Sequence, residues 1–131
     1  MTTELTVLIL ACVLLLAHIM LAVHFKTRQY GKDWNMGARD AVMPSLDPVA
    51  GRLERARDNF LETFPIAIVA LLALTLVGQS NALTQVAAWT WLGARAGYLP
   101  LYWTGVPVVR TLVWMVGLLA LLVLLGSLLA G

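Results

Sequence analysis

The chain predicts an all-α fold, a four-transmembrane-helix bundle, on three observations. Hydrophobic residues fill 60% of the 131 positions and charged residues only 12%, more apolar side chain than a soluble domain of this size could hide. The apolar residues fall into four runs, each near the length that crosses a hydrocarbon core of about 30 Å. Seven of the nine Lys and Arg residues lie between Lys26 and Arg57, after the first run and at the start of the second, so the polar chemistry collects at one end. The chain is short enough to be a single domain, residues 1–131. Composition excludes disorder and a soluble enzyme, and a net charge of +2 without a basic surface run excludes nucleic acid as a partner.

The first span is read from about Leu5 to Phe25. Met1-Thr2-Thr3-Glu4 lacks the basic start of a signal peptide, and the run after it is too long for one, so it reads as a retained membrane helix. Cys12, the only cysteine, can form no intrachain disulfide and reads as a small apolar filler. His18 and His24 are six residues apart, which does not put two metal ligands on one helix face, so interfacial or interhelical hydrogen bonding is expected. Residues 26–51 carry Gly31, Gly37, Pro44, Pro48 and Gly51 and read as a polar loop with room for short helical turns. Trp34 is expected at headgroup level.

The second helix is expected from Arg52 to Val77, about 39 Å at 1.5 Å per residue, so its charged first turns should lie at the interface. Pro65 cannot donate a backbone hydrogen bond and should bend the helix where charged becomes apolar. Gly78 to Asn81 is a tight turn. The third span, Ala82 to Tyr98, is the least apolar, and its Gly93-x-x-x-Gly97 pair would permit a close helix contact. Pro100, Gly105 and Pro107 mark the next connection, and the fourth helix runs from about Val106 to Leu129. Four spans put both termini on one side. The positive-inside rule then places the basic end in the cytoplasm and the termini away from it.

Arg52, Arg55, Asn59 and Glu62 are spaced i, i+3, i+7 and i+10, one stripe of a helix. Glu54, Arg57 and Asp58 fall on other faces and read as headgroup or solvent contacts. The stripe has two readings: an ion-pair network that fixes the bundle, or a site for a small zwitterionic peptide. Arg offers a fork for a carboxylate, Glu accepts from an ammonium, and Asn satisfies an amide. On the third helix Arg95, Tyr98 and Tyr102 repeat the i, i+3, i+7 spacing. They could hydrogen-bond a polar ligand, or serve as interfacial tyrosines beside a snorkelling arginine. Arg110 lies one turn into the fourth helix. It is no general acid near neutral pH, but it can favour a bound thiol's charged form. Anchoring to a helix end or a lipid headgroup is the alternative.

Three segments carry a family resemblance. Arg52-Leu-Glu-Arg55-Ala-Arg-Asp-Asn59-Phe-Leu-Glu62-Thr-Phe-Pro65, Ala94-Arg95-Ala-Gly-Tyr98-Leu-Pro-Leu-Tyr102 and Pro107-Val-Val-Arg110 resemble, in order, segments of the MAPEG family, membrane-associated proteins in eicosanoid and glutathione metabolism. The resemblance covers nearly the whole chain. It implies a homotrimer in a bacterial inner membrane, with glutathione as cosubstrate between subunits and no metal. It further implies Arg55, Asn59 and Glu62 as glutathione contacts, with Arg95, Tyr98 and Tyr102 supplied by the adjoining subunit. Arg110 would stabilise the thiolate, and Arg28 matches another basic residue near the tripeptide only loosely. Thr63 and Trp114 stand where other members carry tyrosines. That shifts the expected activity from lipid-mediator synthesis towards thiol transfer to, or peroxide reduction of, a small apolar electrophile. A non-enzymatic membrane scaffold or small-amphiphile binding protein of the same fold is the alternative.

Overall fold

A computed structural model describes residues 1–131 as five helices and no strand: α1 (Thr3–Tyr30), α2 (Lys32–Met36), α3 (Pro48–Leu76), α4 (Ala82–Trp103) and α5 (Val108–Ala130). Local chemistry sets each boundary. The Thr2 hydroxyl accepts from the Leu5 amide at 3.1 Å and starts α1. The helix runs five residues past the apolar stretch and stops where Gly31 takes φ +96°, a conformation most side chains resist. The short α2 occupies part of the expected loop. Helix α3 begins four residues before Arg52, with Pro48 in its first turn, where a missing N–H is harmless. Asn81 and Thr84 form a reciprocal capping box at the start of α4, with bonds of 3.1 and 2.9 Å.

The expected end of the third span at Tyr98 is corrected. Pro100 lies inside α4, which continues to Trp103. Pro100 lacks a donor but keeps its carbonyl, which accepts from the Thr104 amide at 3.0 Å. The stop signal is Gly105, at φ +77°, where the amides of Gly105 and Val106 close back onto the carbonyls of Tyr102 and Leu101. The last helix then starts two residues later than expected.

Helix α1 packs chiefly on α3, and α4 on α5, while the Cα atoms of α1 and α5 stay more than 8 Å apart. Pairings at the ends show that the long helices alternate in direction. At one end Thr2 meets Thr75, and Glu4 accepts from Thr84 at 2.7 Å. At the other, Lys26 pairs with Glu54 at 3.1 Å and Phe25 lies edge-on to Trp103. The core holds Val7, Ala11, Phe60, Phe64, Leu71, Leu74, Trp91 and Leu124, with alanines between them. Only 28 of 131 residues are buried, and many large apolar side chains, Val13, Leu16, Val69 and Leu119 among them, are exposed.

Helices α1, α3 and α5 are long and apolar enough to cross a membrane. Helix α4 matches them in length but carries Gln85, Thr84, Thr90 and Arg95. Several smaller expectations change. Cys12 is exposed on α1, not packed as filler. His18 bonds its own helix, through Nδ1 to the Leu14 carbonyl at 2.8 Å, and stacks on Phe60. Gly93 and Gly97 have open space where a Cβ would sit, whereas Gly117, which sequence reading passed over, packs on Ala94.

Candidate functional site

The basic end of the bundle carries a cleft of about 270 Å³, lined by Arg52 and Arg55 of α3, Tyr102 of α4, the Gly105–Pro107 turn and Arg110 of α5. The cleft follows from three local features. The i, i+3 spacing puts Arg52 and Arg55 on one face of α3. Continuation of α4 through Pro100 carries Tyr102 to the level of those arginines. The turn at Gly105 brings α5 back with Arg110 in its first turn.

Tyr102 is the hub. The Arg110 guanidinium lies over its ring at 4.4 Å and that of Arg55 at 5.9 Å. Arg52 donates through Nε to the Trp103 carbonyl at 2.9 Å, and its side chain packs along Gly105. Neither Arg55 nor Arg110 has a carboxylate partner; the ion pairs of the chain are Lys26–Glu54 and Arg57–Asp58. Three guanidiniums around one open cleft make it an acceptor for anions, and a planar fork suits a carboxylate.

Deeper in the bundle lies a second polar group. Arg95 is 2% exposed and donates through one terminal nitrogen to Asn59 Oδ1 at 2.9 Å. Its guanidinium also lies over the rings of Tyr98 at 4.5 Å and Phe60 at 5.2 Å. Its other two nitrogens have no hydrogen-bond partner. Tyr98 meets Tyr102 edge-on at 5.5 Å. A continuous series of ring contacts therefore joins buried Arg95 to Arg110 at the cleft.

The seven candidate site residues from the sequence thus separate. Arg55, Tyr102 and Arg110 share the cleft; Asn59, Arg95 and Tyr98 form the inner group; Glu62 is exposed and makes no ion pair. The two stripes meet within one protomer, through Asn59 and Arg95. Glu54, expected to face headgroups or solvent, instead ties α3 to α1, while Arg57 pairs with its neighbour Asp58. Arg52, the first member of the stripe but not among the residues the resemblance matches to glutathione contacts, also lines the cleft. The Thr63 hydroxyl is buried without a partner, and Trp114 is half-buried. No group of three His, Cys, Asp or Glu side chains is placed to hold a metal.

Apolar helices with exposed side chains define an integral membrane protein, and one end of its bundle carries a cationic, aromatic cleft. The chain belongs to the MAPEG family, which it matches over residues 4–130. No curated protein and no solved structure matches it. Membership assigns it, in general terms, a membrane function related to glutathione or eicosanoids.

Proposed function

We propose that the protein is a glutathione-dependent membrane transferase or peroxidase acting on a small apolar electrophile. The observation that carries this reading is the convergence of Arg52, Arg55 and Arg110 on one cleft with Tyr102, in a chain of the MAPEG family. Glutathione carries two carboxylates, one ammonium and a thiol. Arg52 and Arg55 would bind a carboxylate, exposed Glu62 would accept from the ammonium, and the Tyr102 hydroxyl would hydrogen-bond the peptide.

Arg110 would favour the thiolate over the thiol, and the thiolate is the attacking form. Attack on carbon forms a C–S bond and expels the leaving group with its electron pair. Attack on a peroxide breaks the O–O bond. The alcohol leaves with a proton, and a second glutathione reduces the sulfenic acid to give the disulfide and water. Asn59, Arg95 and Tyr98 would support the cleft from beneath as well as border the tripeptide.

At about 270 Å³ the cleft falls just below the roughly 300–1,000 Å³ of enclosed ligand pockets. We propose that a neighbouring subunit of a homotrimer completes it. In this reading all four long helices cross an inner membrane, and the basic end faces the cytoplasm. The test is a calorimetric titration of glutathione into the detergent-purified, folded oligomer. Saturable binding is expected, weakened by Arg55→Ala; no heat at millimolar glutathione would overturn the proposal. A purely structural scaffold is excluded if Arg110→Ala removes thiol-transfer turnover while the oligomer persists.

A further inference from the structure

The largest groove on the molecule is not the cleft. It lies on the outer face of α1 and α2, encloses about 510 Å³ and has His24, Arg28, Lys32 and Asn35 in its lining. Groove and cleft share no residue and no helix. They nevertheless stand at the same height of the bundle. The Lys26–Glu54 pair fixes the register of α1 against α3, so Arg28, two residues further along α1, is level with Arg52, two residues back on antiparallel α3.

The short α2 lies outside the three segments that carry the family resemblance. The chain turns at Gly31, and α2 is pinned to α1 on two sides. Asn35 Nδ2 donates to Thr27 Oγ1 at 2.6 Å, and Trp34 meets Tyr30 edge-on at 4.9 Å. Lys32 is thereby held exposed at the groove's rim, and neither it nor Arg28 has an ion pair. In a closed rotational assembly each copy sets one face against a different face of the next. Groove against cleft would bring unpaired cations together from both sides, a repulsive contact unless an anion lies between them.

We propose that Lys32 binds the glycyl carboxylate of glutathione held in the adjoining subunit's cleft, and so selects for that end of the tripeptide. Lys32 has this role only if the cleft takes glutathione, as proposed above. The ligand's ammonium and one carboxylate share a carbon, so both go towards Glu62, about two turns deeper on α3 than Arg55. The glycyl carboxylate, at the other end of the molecule, is left at the rim. There the cleft alone offers it no lysine, and α2 of the neighbour does.

The test is calorimetric titration of the detergent-purified oligomer with glutathione and with its glycyl ethyl ester, which lacks that charge. Lys32→Ala is expected to weaken glutathione about threefold to tenfold and to leave the ester unchanged, while Lys32→Arg keeps the natural affinity. Lys32 is exposed, so folding is not at stake. Equal weakening of both ligands, or no weakening of glutathione, overturns the role of Lys32 and leaves the glutathione site standing. A natural protein that binds no glutathione removes both. In a Cys12→Ala background, a short bismaleimide should join Lys32→Cys to Pro107→Cys of another subunit, giving dimers and trimers. Monomers alone would overturn the meeting of groove and cleft.

Discussion

Arg110 and Arg95 are both intramembrane-facing arginines in sequence, yet their surroundings separate their roles. Arg110 borders an open cleft and lies over Tyr102, so its positive charge is available to an incoming anion. Arg110→Ala is expected to lower thiol-transfer turnover about tenfold to a hundredfold by reducing the thiolate fraction. The check is a comparison of turnover with glutathione affinity, which should change less. Arg95 is enclosed, with Asn59 as its one hydrogen-bond partner. Asn59→Ala leaves a buried guanidinium held by aromatic faces alone, at a cost of about 1–3 kcal/mol, measurable as a lower Tm in detergent. Asn59→Asp restores an acceptor and adds a countercharge, so it should lose less. The i, i+3, i+7 spacings made both stripes legible in the sequence. Which member of each stripe faces the cleft was not legible, because a charge at membrane depth can be met by water, ligand or a neighbouring side chain.

Helix ends, more than helix centres, position the cleft. Gly105 holds φ +77° and turns α4 into α5, bringing Arg110 back towards Tyr102. Gly105→Ala places a Cβ in a left-handed conformation and should cost about 1 kcal/mol. Because that turn lines the cleft, the expected signature is a lower Tm together with weaker glutathione binding. Gly93→Ala is the control, since nothing lies within 4 Å of the added carbon; inside α4 it should leave Tm unchanged or raise it slightly, and leave glutathione binding intact. At the far end, Glu4 is fully buried and accepts from Thr84, while its second oxygen has no partner. Glu4→Gln keeps an acceptor for the Thr84 hydroxyl, whereas Glu4→Ala removes the tie between α1 and α4. Thermal unfolding should rank the two in that order.

At the scale of the whole molecule, the distribution of charge sets orientation. Lys26 to Arg57 and Arg110 occupy one end of the bundle, and the Gly78–Asn81 turn at the other has no charge. In a Cys12→Ala background, a membrane-impermeant thiol reagent should label Ser80→Cys in intact spheroplasts and Asp40→Cys only after lysis. The opposite pattern would reverse the proposed topology. Both positions are exposed, so labelling reports the side of the membrane and not burial.

Apolar runs and their polar interruptions were enough to read helices, membrane character and the sidedness of charge, because these depend on local composition and on the dimensions of a bilayer. The quoted motifs were likewise enough to place the chain in its family. Helix packing alone decided that Arg52 joins Arg55 and Arg110, and that Arg95 turns inward to Asn59. Those outcomes depend on which helix faces meet, and spacing along one helix holds no information about the element opposite it.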